Sequence, residues 1–406
     1  MSAETRPSQP GDLALGEFVT LMAVLISLIA LSIDAMLPAL AMIGEDLGVA
    51  QANDTQMVVT SLFLGLGVGT LFYGPLSDSI GRKPSIYLGL IIFILGSVVS
   101  IIAPTFEILL AGRVLQGFGA AGPRIVTMAL VRDQYEGRAM ARIMSLVMAV
   151  FIIVPALAPL VGQGILYFAG WRSIFTVLLG LALVGLVWFG WRQPETLPKH
   201  KRVAFSLTRL GGAVWEVLSN RMSAGYTVAS GLIFGAFVGY LSTAPQIFQG
   251  RYGLGDQFPY YFGALALAIG GASLVNARLV MRLGMRRLSW ISLIALTLLS
   301  CLFFVIGWQI EGGLPLSLFM AYMLMGFFCI GILFGNFNAL AIEPLGHIAG
   351  VASAVIGSVQ SFVSILFGYF VGQAFDGTAL PLVGGFAILG IAAILMMAWT
   401  ERGQKS

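Results

Sequence analysis

The feature that most constrains this chain is an apolar run of about 20 residues that recurs from one end to the other. A helix rising 1.5 Å per residue needs about that length to cross roughly 30 Å of hydrocarbon. Lipid offers no partner for backbone N–H and C=O groups, so each run must satisfy its own hydrogen bonds and is predicted to be a helix. A membrane barrel would instead show alternating strands of ~10 residues, and these runs are too long and too uniformly apolar for that. Composition agrees: 58% of the 406 residues are hydrophobic and 10% are charged, against about 25% charged in an ordinary soluble domain.

Spans are predicted at roughly 18–41, 56–76, 85–104, 107–130, 141–166, 172–191, 223–248, 259–281, 288–308, 316–342, 350–374 and 380–400. An even number puts both termini on one side. All but four of the 22 Lys and Arg residues fall on that side; Arg172 and Arg251 lie opposite, and Arg113 and Arg124 lie inside spans. By the positive-inside rule the termini face the cytoplasm. The net charge of +4 therefore sets topology and is not a nucleic-acid signal. The first residues lack a basic start and a small-residue cleavage site, so they read as a short cytoplasmic tail and not a signal peptide.

The longest loop, 192–222, is basic and lies near mid-chain. It divides the sequence into a tail (1–17), a six-helix bundle (18–191), a cytoplasmic linker (192–222), a second bundle (223–400) and a last tail (401–406). A weak repeat supports the division. Gly81-Arg82-Lys83 after span 2 recurs as Gly284-Met285-Arg286-Arg287 after span 8, and Pro38 near the end of span 1 matches Pro245 near the end of span 7. The expected fold is all-α and membrane-integral, with twelve helices in two pseudo-symmetric bundles. Such proteins bind substrate between the halves at mid-membrane.

Asp34 is the most informative single residue. A charge inside a span costs about 2.5–3.5 kcal/mol on insertion scales and faces a cavity or a partner. From span ends, Asp34 lies roughly 12 Å deep and Arg113 roughly 9 Å deep from the same side, close enough for contact directly or through water. Burial and a nearby cation act on the protonation of Asp34 in opposite directions, which suits a group that gains and loses a proton as a cavity changes face. Gln116, one turn beyond Arg113, shares its side of span 4; it reads equally as a substrate ligand or an interhelical contact. Tyr240, Gln246, Asn336, Asn338 and Gln360 are further substrate-binding candidates near cavity-facing spans. Arg124 is read as snorkelling to the headgroups, and Trp171 and Tyr252 as interfacial anchors. Cys301 and Cys329 fall in apolar spans and read as inert. No P-loop, HExxH pattern or metal-binding cysteine pair occurs, so the chain is not read as an enzyme, and no metal or cofactor is expected. The expected partners are a small molecule, protons and the bilayer, with no nucleic acid and the chain working as a monomer.

Several segments carry a resemblance. Gly74-Pro75-Leu76-Ser77-Asp78-Ser79-Ile80-Gly81-Arg82-Lys83-Pro84 resembles the signature loop between helices 2 and 3 of the major facilitator superfamily. Arg113-Val114-Leu115-Gln116-Gly117-Phe118-Gly119 resembles the span 4 motif of its drug–proton antiporters. Pro155-Ala156-Leu157-Ala158-Pro159-Leu160-Val161-Gly162 resembles the antiporter motif in the form typical of the Bcr/CflA drug-resistance group. Asp34-Ala35-Met36-Leu37-Pro38-Ala39-Leu40 and Gly170-Trp171-Arg172-Ser173-Ile174-Phe175 fit that group. The resemblance implies a proton-coupled multidrug exporter of a bacterial inner membrane. Asp34 and Arg113 would couple protons, and Asp34 would also meet substrate. Gly74, Asp78, Gly81, Arg82 and Lys83 would latch the halves, and Pro155, Pro159 and Gly162 would form the antiporter segment. Two departures stand out: Ile26 occupies the place of a second acid that some relatives carry, and Met281 stands where Asp78 would align in the second half. Two other functions remain open: export of a metabolite such as an amino acid or sugar, and a non-transporting membrane sensor.

Overall fold

The computed structural model describes residues 13–402, with the side chains of Ala141 and Phe151 outside the description; most of the expected tails lies outside the described residues. Among the described residues, eleven apolar helical stretches are long enough to cross a membrane. One of them, Leu316–Gln373, holds two helices joined at Glu343–Ile348, which brings the crossings to twelve.

Span 1 runs Leu15–Asp34 and continues, after a break, through Leu37–Ala39 and Leu40–Asp46. Spans 2 to 6 are Met57–Ile80, Arg82–Ile102, Phe106–Gln134, Gly137–Phe168 and Arg172–Arg192. Spans 7 to 12 are Arg221–Pro245, Phe258–Leu283, Met285–Gln309, Leu316–Ile342, Ala349–Gln373 and Leu380–Glu401. Each set of six packs as a bundle. The bundles meet chiefly where span 2 lies on span 11 and span 5 on span 8. At the first crossing Ser358 donates to the carbonyl of Gly67 at 2.8 Å.

The segment expected as a plain loop contains a helix, Leu207–Ser219, capped by Ser206, whose hydroxyl accepts from the Arg209 amide. It packs on spans 7 and 11 and leaves Leu207 and Trp215 exposed, an amphipathic helix lying along the bundle end.

The break in span 1 has a local cause. Pro38 has no N–H, and its ring collides with the carbonyl four residues back, that of Asp34. The α-helix ends at Asp34 and restarts as a tight turn with Pro38 in its first positions. Span 7 ends comparably: past Pro245 the backbone widens into a π-turn, Gln246–Arg251. The two prolines paired by the repeat thus mark two corresponding helix interruptions.

Candidate functional site

Asp34 is buried at the end of the broken helix. Among the described residues its carboxyl group has no hydrogen-bond or ion-pair partner. Of the two forms of contact expected with Arg113, the direct one is not made. The Arg113 guanidinium, fully buried, donates to the carbonyl of Ser32 at 2.8 Å, the carbonyl of Val58 at 3.0 Å and Gln116 Oε1 at 3.0 Å. It also lies over the Phe175 ring, 5.7 Å from the centroid. Backbone carbonyls of spans 1 and 2 have taken its donors, so Arg113 braces the helix that carries Asp34 instead of neutralising it.

Gln116 is likewise engaged. It accepts from Arg113 and donates to Ser97 Oγ on span 3 at 2.8 Å, and it is buried. Of its two readings the geometry is that of an interhelical contact.

The other half contributes Tyr240. The turn after Asp34 packs on span 7, and Tyr240 is close enough to feel the Asp34 charge. Its hydroxyl is buried and, among the described residues, has no hydrogen-bond partner. The ring belongs to an aromatic network: it stacks on Phe262 at 5.8 Å and meets Phe327 edge-on at 4.8 Å. Phe237 touches Phe327 and Phe334 at 5.6 and 5.8 Å. Phe234 reaches across the halves to Phe63 on span 2 at 5.8 Å. Phe234, Phe237 and Phe334 keep part of their surface open. A single acid beside rings with accessible faces suits lipophilic and cationic ligands, since ring faces attract cations. Sequence reasoning missed these phenylalanines. The signal was present in the spacing of Phe234, Phe237 and Tyr240 and of Phe327 and Phe334, which line up on helical faces.

The remaining candidates divide. Asn336 exchanges two amide hydrogen bonds with Asn276 of span 8, at 3.0 and 3.2 Å, and Asn338 donates to its own helix at Phe334. Gln360 is half-buried on span 11. Gln246 lies past the end of span 7, in a layer on the side away from the termini. There it meets Gln56 at 2.7 Å and donates to Asn53 Oδ1 at 3.1 Å and the carbonyl of Ala52 at 3.2 Å. Gln56 also donates to the carbonyl of Gly372 at 3.1 Å. Asn53 donates to the carbonyls of Gln373 and Phe375, and Gln373 donates back to the Asn53 carbonyl. Gln373 also donates to Asp54 Oδ1 at 3.4 Å, and Gln163 of span 5 donates to Asp256 Oδ1 at 3.0 Å, so a layer of side-chain amides closes the halves over that side.

The signature loop sits on the terminal side. Gly81 has φ 112°, a conformation glycine adopts without steric cost, and a side chain there would strike Glu195. It lets span 3 start one residue after span 2 ends. Arg82 turns inward, away from the bilayer surface: it pairs with Asp78, bonds Asp133 at 2.8 Å and donates to Ser77 at 2.9 Å. Lys83 donates to the carbonyl of Gly190 at 2.7 Å. Glu195 accepts from the Arg82 and Lys83 amides at 2.9 and 3.1 Å, an anion on a helix N-terminus. Gly74 faces Ala354 of span 11. Asp133 and Glu195, which hold the loop, were not singled out in the sequence because both lie far from it along the chain.

In span 5, Pro155 and Pro159 are accommodated inside one continuous helix. Gly162 packs on the break itself: a Cβ there would lie 2.0 Å from the carbonyl oxygen of Ala35. Trp171 is buried and donates to Asp46 at 3.1 Å, so it is a packed residue and not an interfacial anchor. Arg124 is exposed on span 4.

The profile of the Major Facilitator Superfamily matches residues 22–368. The bicyclomycin resistance protein homolog of Haemophilus influenzae is 30% identical, with 96% of this chain and 97% of that protein covered. Multidrug resistance protein D of Escherichia coli is 27% identical, with 85% and 86% covered. Among solved structures, the xylose transporter XylE from E. coli in a partially occluded inward open conformation superposes with a TM-score of 0.71 at 14% identity, with 95% and 97% covered.

Proposed function

We propose that this chain, which belongs to the major facilitator superfamily, is a proton-coupled multidrug exporter of small lipophilic, neutral or cationic compounds. Asp34 is its proton-coupling acid. The observation that carries the reading is a buried carboxyl group without a counter-ion, placed at a helix break where the two halves meet and beside a partly open aromatic wall. Leaving a charge unpaired in such a place is costly, so loss of the carboxyl proton to water, which leaves a carboxylate to be solvated or paired with a cationic substrate, changes which arrangement of the halves is favoured. The relatives named for bicyclomycin and multidrug resistance support the drug class.

The membrane is the bacterial inner membrane, with both termini cytoplasmic and the chain acting as a monomer. Residues 18–191 and 223–400 then rock against each other about the span 2–span 11 and span 5–span 8 crossings. The Asp78–Arg82 loop latches the cytoplasmic face, and the Pro155–Gly162 segment keeps span 5 seated on the Asp34 break. Arg113 acts through Asp34 by holding the backbone that presents it.

The test compares wild type with Asp34→Asn. Susceptibility is scored in an efflux-deficient strain, and drug and proton movement are followed in proteoliposomes under an imposed pH gradient. Wild type should release protons on addition of drug, and the variant should not. Full proton-coupled transport by the variant would overturn the role of Asp34. Drug movement without proton movement in wild type would remove antiport and leave transport.

A further inference from the structure

Arg124 is used by none of the steps above. It lies ten residues from the terminal-side end of span 4, about 15 Å along the helix, and so within the thickness of the membrane. Ile108, Ala111 and Leu115 form the exposed, lipid-facing stripe of that helix. Arg124 follows Leu115 by about two and a half turns and points to the opposite side; it follows Arg113 by about three turns and shares its side. Gly117 and Ala120, between them on this face, are buried. Arg124 is nevertheless exposed and, among the described residues, has no hydrogen-bond or ion-pair partner. A lipid-facing arginine that reaches for headgroups would lie on the Ile108–Leu115 side. At the Arg113 level this side of span 4 meets spans 1 and 2 and the Phe175 ring; at the Arg124 level it is open.

From these positions we infer that Arg124 faces the space between the halves, which the amide layer closes at the far end, and is a specificity determinant that receives an acidic group of the transported compound. The inference rests on the export reading and extends its substrate class to amphoteric aromatic compounds, which carry a basic amine and a carboxylate. A guanidinium keeps its charge and offers a planar fork of donors that matches a carboxylate bidentately, and here none of its donors is taken by a described residue. The complementary group is Asp34. Arg113 reaches the carbonyl of Ser32, two residues before Asp34, so the Arg113 level on span 4 marks the depth of the acid. Arg124 lies roughly 16 Å below that level, and its own reach shortens the gap. A bicyclic drug with charges at opposite ends spans such an interval, its amine toward Asp34, its rings along Phe234, Phe237 and Phe334, and its carboxylate on Arg124. Aromatic rings in between and opposite charges at the two ends give a fixed direction of entry.

The experiment uses full-length protein in proteoliposomes and one matched pair of probes, norfloxacin and norfloxacin methyl ester, which differ only in the acidic group. Uptake is followed by fluorescence under a pH gradient, and the ratio of kcat/KM for acid over ester is the readout. A charge-assisted contact contributes enough for Arg124→Gln to lower that ratio by about tenfold or more, through the KM of the acid. Arg124→Lys, which keeps the charge and loses the fork, should fall between the two and guards against poor folding of the glutamine variant. An unchanged ratio in both variants overturns the inference while the export reading stands. If wild type moves neither probe, drug export fails for this chemical class and the inference fails with it.

Discussion

Removing Gln56 should open the far side of the molecule. Its side chain makes two contacts across the halves, to Gln246 at 2.7 Å and to the carbonyl of Gly372 at 3.1 Å. Neither partner is charged, so each bond contributes about 0.5–1.5 kcal/mol net. Gln56→Ala therefore costs the closed arrangement about 1–3 kcal/mol. In the open arrangement these groups meet water and lose nothing by the substitution. The equilibrium between closed and open should shift by a factor of roughly 5 to 150. Spin labels on Ala50→Cys and Glu311→Cys, both exposed on that side and on opposite halves, report the separation once Cys301 and Cys329 are replaced. The pair should gain a longer-distance population in Gln56→Ala, and drug binding should shift the two populations again. A distance distribution identical to that of the parent would refute the argument, because the amide layer would then contribute nothing to closure.

Two further outcomes follow from the packing around Asp34. Gly162→Ala places a methyl group where the Ala35 carbonyl lies; relief requires backbone movement, so stability should drop by about 1–3 kcal/mol, read as a lower Tm in detergent, and transport should fall with it. Tyr240→Phe removes a hydroxyl that is buried and unpartnered; with no bond to lose, Tm should stay level or rise, while drug-dependent proton release should weaken if the hydroxyl serves substrate or proton beside Asp34, and an unchanged flux would exclude that role.

The membrane fold was legible because lipid imposes one rule on every span: about 20 apolar residues and a closed set of backbone bonds. That rule is local, so span order could be read without knowing a single contact. Asp34 was legible for the same reason, as a charge where the rule forbids one. Its relation to Arg113 was not. Depth arithmetic placed the two at one level, but the donors of Arg113 went to the carbonyls of Ser32 and Val58, and backbone acceptors leave no mark in a sequence. The surroundings of Gln246 and Arg124 were illegible for a related reason. Periodicity gives a residue's side of a helix and not what that side meets. Gln246 lies in the π-turn past Pro245, where helical depth no longer applies. Arg124 lies on the Arg113 side of span 4, which the depth of a residue alone does not disclose.

The break at Asp34 also accounts for how a proton could act on two bundles without a long path between them. Pro38 ends the helix at the acid, Gly162 seats span 5 against the next carbonyl, and the turn that follows packs on span 7 near Tyr240. Span 5 in turn lies on span 8, and the layer of Asn53, Gln56, Gln246 and Gln373 closes above. The proposed protonation site and the contacts that would separate if the far side opened are therefore linked through directly packed elements. Coupling needs only that the charged and neutral forms of one carboxyl group differ in how well they tolerate the closed packing, a differential interaction between two arrangements. The chemistry of the two ends fits this scheme. The ion pairs around Arg82 join groups of the first half alone, so they do not resist separation of the halves, and the far side is held by side-chain amides, two of them on Asp54 and Asp256, in bonds each worth about 0.5–3 kcal/mol. A far side closed by many weak bonds is one that a single protonation event, worth 1.36 kcal/mol per unit of pKa difference between the two arrangements, is large enough to open.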